Sequence, residues 1–168
     1  PDIPSLSTTG RLLPITSRLL VARELLVGLG FQEIISFTLS SNEVLFERMN
    51  MPRPDDVVEI ENPVSASWSV LRNTLVPSLM GFLSRNTHND YPQNIFEVSE
   101  TARIDAAAET SVDSSYSMAF AVCSSGANYT AAREALESFM ANIGVQFTVR
   151  GIEHPSYLPG RVGAIVVK

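Results

Sequence analysis

The residues that could do chemistry are few and scattered along the chain. Glu97 and Glu100 lie three apart in a stretch predicted as a strand, so they face opposite sides and do not form a natural acid/base pair. Solvated or ion-paired carboxylates are the favoured interpretation. His88, His154 and Cys123 could be metal ligands, but their separations match no zinc spacing. No serine lies in a G-x-S-x-G pattern, and no glycine-rich phosphate loop is present. We therefore predict no catalytic, cofactor or metal site.

Two arginines are the polar residues of most interest, because each borders an apolar run. Arg72 follows residues 70–71, and Arg161 precedes residues 162–167. Arginine suits bidentate contacts with carboxylates, so each could form an ion pair. An exposed arginine without a partner is the alternative for both.

The composition indicates a globular domain. The chain has 168 residues, of which 45% are hydrophobic and 18% charged, which excludes a disordered tail. The net charge of −6 disfavours a surface that grips phosphates, although acidity also simply aids solubility. No apolar run is long enough for a membrane span, and the lone Cys123 predicts a buried free thiol in a reducing compartment.

The first part of the chain predicts an extended linker over residues 1–14, followed by a helix over 16–29. Leu19 and Leu26 belong to one apolar stripe of this helix, and Gly30 suits a left-handed residue at its end. Further leucines and valines widen the apolar surface beyond that stripe. Such a helix is buried on two sides, either inside the domain or against a partner.

The middle of the chain predicts a strand over 31–39, with Ile35, Phe37 and Leu39 on one face. Ser40 and Glu43 match a capping box for a short helix to about residue 49. A short strand over 57–60 and a helix over 74–86 follow.

The last part predicts a strand over 94–104, a low-complexity loop over 106–115 and a strand over 116–124. The last of these strands has one face of large apolar residues and one of small residues, so that a helix can lie close to the small face. A helix over 130–143 and strands over 145–151 and 162–168 complete the pattern. This order favours an α+β fold with an antiparallel sheet and helices packed on one side.

Five motifs, in order, resemble those of the β subunit of phenylalanyl-tRNA synthetases of the archaeal and eukaryotic type. They are GFQEIISFTL at 30–39, NPVS at 62–65, LRNTLVPSLM at 71–80, RNTHNDYP with IFEV over 85–98, and HPSYLPGR at 154–161. Together they cover nearly the whole chain. The chain departs from the family pattern in two places. Ser99 replaces a glycine, and residues 128–133 lack the usual Asp and Lys.

The resemblance implies a class II aminoacyl-tRNA synthetase-like antiparallel sheet flanked by helices. Residues 15–168 would form a catalytic-like but non-catalytic domain, cut from a longer polypeptide. The intact enzyme would use ATP and Mg²⁺ to charge tRNA with phenylalanine. The implied partner is the catalytic α subunit, in a hetero-oligomer of the α2β2 kind, with tRNA bound through the intact complex.

The same resemblance suggests roles for particular residues. Glu97 is expected where an active class II enzyme has an arginine for the α-phosphate, so this chain alone is predicted to be inactive. The first helix would pack on the α subunit, with Leu19 and Leu26 in the contact, and Arg72 or Arg161 would lock the fold or cross to that subunit. The alternatives are a degenerate enzyme that activates another carboxylate and a tRNA-contact module.

Overall fold

The computed structural model describes residues 9–167, and within them the chain forms an α+β domain. Of the predicted linker over residues 1–14, residues 9–13 have no regular structure, Pro14 already belongs to the first helix, and residues 1–8 lie outside the described residues. The helices are α1 Pro14–Gly28, α2 Val76–Arg85 and α3 Tyr129–Asn142. The strands are β1 Gln32–Glu33, β2 Leu39–Ser40, β3 Val70–Leu71, β4 Gln93–Ile104, β5 Val112–Cys123, β6 Phe147–Gly151 and β7 Gly163–Val167.

The β4–β5 hairpin is the centre of the fold. Its antiparallel register runs from the pair Gln93 and Cys123 to the pair Ile104 and Val112. β5 therefore begins at Val112, within the region predicted as a loop. β1 adds to β4 in parallel, which corrects the expectation of a purely antiparallel sheet. β2 pairs with β3 and β6 pairs with β7, each in a separate antiparallel pair.

Helices cover both faces of this hairpin, not one face as the sequence predicted. The large residues of β5 pack with the core under α1 and α3, which contains Phe96, Val98 and Phe139. The small residues Ala119 and Ala121 lie on the other face, against the cluster that includes Leu79 of α2. The predicted division of β5 into a large and a small face is confirmed. Both faces are covered, since Phe96 and Val98 of β4 belong to the core under α1 and Ile95 belongs to the cluster with α2. Cys123, at the end of β5, is half-buried and not fully buried as expected.

Two of the helices end in the same way. Gly30, after α1, has φ +85°, and Gly144, after α3, has φ +71°. The N–H of Phe31 donates to the carbonyl of Leu26 at 3.0 Å, and the N–H of Val145 donates to that of Met140 at 3.0 Å. This pattern is the Schellman motif, in which a left-handed glycine satisfies the last carbonyls of a helix.

We expect Gly144→Ala to lower the free energy of unfolding by about 1–2 kcal/mol, because a Cβ is disfavoured in the left-handed conformation. Gly28→Ala is the matched control, since Gly28 lies inside α1 with open space around it. That change should be neutral or stabilise by up to about 1 kcal/mol. Urea unfolding followed by circular dichroism measures both. Equal effects of the two substitutions would contradict the role of the left-handed conformation.

The stretch predicted as one strand over 31–39 is instead mostly extended chain without strand partners. Only β1 and the first residue of β2 are paired as strands. Between them the backbone makes single hydrogen bonds at Ile34 and Thr38 and no ladder. The predicted strand over 57–60 is reduced to one bridge between Glu59 and Val70. The short helix is a single π-turn, Glu43–Glu47, and Ser41, not Ser40, accepts a hydrogen bond from Val44 N at 3.3 Å. Within the described residues, no helix is long and apolar enough to cross a membrane.

Candidate functional site

A fully buried ion pair joins two parts of the chain that are distant in sequence. The side chains of Arg72 and Glu97 are 0% and 1% exposed, and Arg72 Nη1 lies 2.8 Å from Glu97 Oε1. Arg72 directly follows β3, and Glu97 lies in the middle of β4 between Phe96 and Val98. Because side chains alternate along a strand, Glu97 points away from the α1 core that these two neighbours fill.

Ser36 completes this buried polar cluster. Its hydroxyl lies 2.7 Å from Glu97 Oε2 and accepts a hydrogen bond from Arg72 Nη1 at 2.6 Å. Its backbone N–H donates to Glu97 Oε1 at 3.2 Å, and Arg72 Nε donates to the carbonyl of Glu100 at 3.1 Å. Both oxygens of Glu97 are therefore hydrogen-bonded, as a buried carboxylate requires.

This geometry revises the argument about Glu97. The sequence analysis treated its carboxylate as a charge that would repel a phosphate at an open site. The carboxylate is buried and paired with Arg72, so it makes no contact with a nucleotide phosphate, attractive or repulsive. Ser36 was missed because a serine in an extended apolar stretch gives no sign of an ion pair formed by residues far along the chain.

The polar cluster anchors an extended segment that exposes two large apolar side chains. Ile34 and Ser36 point inward, whereas Ile35 and Phe37 are 89% and 75% exposed. Ile34 N donates to the carbonyl of Phe96 at 2.8 Å. Inward and outward side chains alternate here as in a strand. The segment is held partly by hydrogen bonds to the Glu97 and Arg72 side chains and not only by backbone pairing. Phe37 packs edge-to-face on Trp68, with ring centroids 5.2 Å apart.

Helix α1 has an inner and an outer apolar face. Leu26 is 0% exposed and Leu19 is half-buried, and both belong to the core beneath the helix. Leu26 is covered by its own chain, so of its two predicted roles the structural one fits and the subunit contact does not. The subunit contact predicted for Leu19 stays a prediction. The outer face exposes Leu13, Leu20 and Val27, at intervals of seven residues.

The outer face of α1 and the extended segment are joined by an ion pair. Arg23, which lies between Leu20 and Val27 on the helix, pairs with Glu33 at 2.6 Å and donates to the carbonyl of Val98 at 2.9 Å. Glu33 lies on the same side of the extended segment as Ile35. We give the name outer surface to the exposed apolar residues of α1 and of the extended segment, together with Trp68: Leu13, Leu20, Val27, Ile35, Phe37 and Trp68.

Arg161 and His154 are further residues that the sequence analysis singled out. Arg161 is exposed, and its side chain forms no hydrogen bond or ion pair within residues 9–167. Arg103 pairs with Asp56 at 3.3 Å and lines a cleft with His154. In the described part of the chain, no three His, Cys, Asp or Glu side chains come together to hold a metal.

Known proteins resemble this chain in fold and in sequence. A pyrrolysyl tRNA synthetase structure from Desulfitobacterium hafniense superposes with a TM-score of 0.64 over 83% of this chain and 50% of its own, at 14% identity, which shows the fold alone. Phenylalanine–tRNA ligase beta subunits from Pyrococcus furiosus and Thermococcus sibiricus are 45% and 42% identical over 99% and 100% of the chain.

The chain spans 30% of the length of these relatives. The family model described as the phenylalanyl tRNA synthetase beta chain CLM domain matches residues 1–168. The resemblance drawn from the five sequence motifs is thereby confirmed, and the chain belongs to the family of phenylalanyl-tRNA synthetase beta-chain CLM domains.

Proposed function

We propose that this chain is a structural module of the β subunit of phenylalanine–tRNA ligase, and that it supports assembly with the catalytic α subunit. The outer surface is the observation on which this proposal rests. Its six large apolar side chains face solvent in two groups, one at α1 and one formed by Ile35, Phe37 and Trp68 beside α2. Groups of exposed large apolar residues are typical of protein–protein interfaces.

The buried polar cluster gives this surface its shape. Arg72 and Glu97 fix Ser36, and Ser36 lies between Ile35 and Phe37, the two most exposed residues of the outer surface. Arg72 N also donates to the carbonyl of Thr38 at 2.9 Å, so the cluster holds the segment on both sides of Phe37. A preorganised apolar segment loses less conformational entropy when a partner binds, which favours assembly.

We assign the chemistry of aminoacylation to the intact enzyme. In this proposal ATP and Mg²⁺ act at the α subunit, tRNA binds through the whole α2β2 complex in the cytoplasm, and the class II-like domain over residues 15–168 contributes no catalytic group. The net charge of −6 agrees with the absence of a tRNA-gripping role, because nucleic-acid binding depends on basic side chains.

Co-expression of the chain with the α subunit from the same source, followed by sizing of the purified complex, tests the assembly role. A stable complex that contains both chains supports it. If the chain elutes alone while the full-length β subunit forms the complex, the assembly role belongs to other domains and the proposal for this chain is wrong.

The chain alone is expected to give no phenylalanine-dependent exchange of pyrophosphate into ATP. The reason is that Arg72 and Glu97 are sealed from solvent, so neither can touch a nucleotide. The measurement compares the isolated chain with the complete α–β complex under identical conditions. Exchange by the isolated chain, lost on heat denaturation, would instead support a degenerate class II enzyme.

A further inference from the structure

The extended segment over residues 34–38 has one edge that is covered by its own chain. The backbone N–H groups of Ile34 and Ser36 donate to β4, the first to a backbone carbonyl and the second to the Glu97 carboxylate. The carbonyl of Thr38 accepts a hydrogen bond from the residue that follows β3. All three bonds involve even-numbered residues, and in an extended chain the even- and odd-numbered backbone groups point to opposite edges.

The other edge of this segment is open. Within residues 9–167, the N–H and carbonyl groups of Ile35 and Phe37 form no hydrogen bond. Their side chains are largely exposed, so solvent reaches this edge. A groove runs from these two residues to Ser78 and Gly81 of α2, whose small size leaves room for another chain. The edge therefore offers the free backbone groups and the space that an added strand needs.

Residues 34–38 also lack the features that usually protect an open edge. The stretch reads IISFT, without a charge, a proline or a glycine. It is rich in β-branched and aromatic residues, which favour a strand. Natural edge strands are commonly protected by lysine, proline or a bulge. An unprotected edge of this kind favours pairing with another strand.

The open edge is complementary to itself. In an antiparallel pair of two copies with Ser36 at the two-fold axis, Ile35 of one copy lies opposite Phe37 of the other. Both residues belong to the open edge, so each such pair exchanges both of its backbone hydrogen bonds. The two side chains then meet on the same face as a β-branched and an aromatic partner, which is a favourable cross-strand pair. Contacts in which both copies use the same surface are typical of two-fold dimers.

The charges around the edge do not oppose this pairing. Glu33, which precedes the segment, is already paired with Arg23 at 2.6 Å. In the same register Glu33 lies opposite Leu39 of the second copy, so no like charges meet directly across the axis. A nucleic acid would need basic side chains, and residues 34–38 have none. An uncharged edge with two-fold complementarity points to a second copy of the same chain as its partner.

We propose that a second copy of this chain pairs with the open edge at Ile35 and Phe37, as an antiparallel strand related by a two-fold axis at Ser36. The proposal does not rest on assembly with the α subunit, and it concerns the chain in the absence of that partner. Because Ile35 and Phe37 also belong to the outer surface, a copy paired in this way occupies part of the surface assigned to the α subunit.

Sedimentation equilibrium of the chain over a wide range of concentration tests the pairing. We expect a reversible change from the mass of one chain to that of two. Hydrogen exchange followed by NMR locates the contact, because the amides of Ile35 and Phe37 become protected as the pair forms. The amide of Ile34 is protected in both states by its bond to Phe96. A single chain at every concentration overturns the proposal, and so does a pair that leaves the amides of Ile35 and Phe37 unprotected.

Ile35→Lys is expected to weaken the pairing at least about tenfold, because pairing would bury a charge placed on the open edge. Leu158→Lys is the matched control, since Leu158 is an exposed leucine outside the segment and should leave the pairing unchanged. Both side chains face solvent, so both variants should stay folded, which circular dichroism checks. Equal pairing of the two variants would overturn the proposal. Neither measurement uses the α subunit, so the outcome is independent of the assembly role.

Discussion

Arg72→Met is expected to lower the free energy of unfolding by about 3–5 kcal/mol, the usual cost of leaving one charge of a buried pair without its partner. Glu97 would lose its ionic partner at 1% exposure, with only the Ser36 donors left beside it. Urea unfolding monitored by circular dichroism measures the loss. Such a loss is a large part of the roughly 5–15 kcal/mol that holds an ordinary domain folded.

A surface ion pair of similar length provides the control for this prediction. Arg48 and Glu43 lie 2.7 Å apart, but both side chains are mostly exposed, so Arg48→Gln should cost less than about 1 kcal/mol. The double substitution Arg72→Met with Glu97→Leu should recover most of the loss, because no buried charge then remains unpaired. Similar losses for Arg72→Met and Arg48→Gln would show that burial does not set the strength of the Arg72–Glu97 pair.

Leu20→Glu should weaken association with the α subunit by about 2 kcal/mol or more, roughly 30-fold in Kd. The residue lies at the middle of the outer face of α1, and a charge there would be desolvated in any interface that covers this face. The free chain should keep its stability, since Leu20 already faces solvent. Isothermal titration of the α subunit with each variant measures the change, and thermal unfolding of the free chain checks the fold.

Leu158→Glu is the matched control, because Leu158 is an exposed leucine outside the outer surface. It should leave the affinity unchanged. Leu26→Glu would not test the interface, because Leu26 is buried in the core of its own chain and the substitution would unfold it. If Leu20→Glu and Leu158→Glu bind the α subunit equally well, α1 is not part of the interface.

The sequence predicted the helices better than the strands, for a physical reason. The apolar period and the glycines at 30 and 144 are local features, and they placed both ends of α1 and α3 within two residues of their observed positions. A strand needs a neighbour, and its neighbour is set by the whole fold. The alternation over residues 31–39 was genuine, but no strand lies beside its middle. The parallel pairing of β1 with β4 has no local cause in the sequence either.

The buried cluster shows the same difference between local features, which the sequence reveals, and contacts that the whole fold sets. Arg72 and Glu97 were singled out separately, but the cluster they form also includes Ser36, which lies 36 positions from Arg72 and 61 from Glu97. The wide apolar surface of α1 correctly indicated a helix with two apolar sides. The sequence could not say which side faces the core, because leucines and valines occupy both.

Because the extended segment is attached to Arg72 and Glu97, the stability of the buried cluster and the affinity of the outer surface for a partner are thermodynamically linked. Any partner that binds Ile35 and Phe37 more tightly when Ser36 is held in place must, by reciprocity, strengthen the hold on Ser36 when it binds. Loss of the ion pair would therefore weaken association at a distance, without any change in the contacting residues. In the reverse direction, a bound partner would stabilise the fold around Ser36. Substitutions of Arg72 or Glu97 would then destabilise the bound chain less than the free chain.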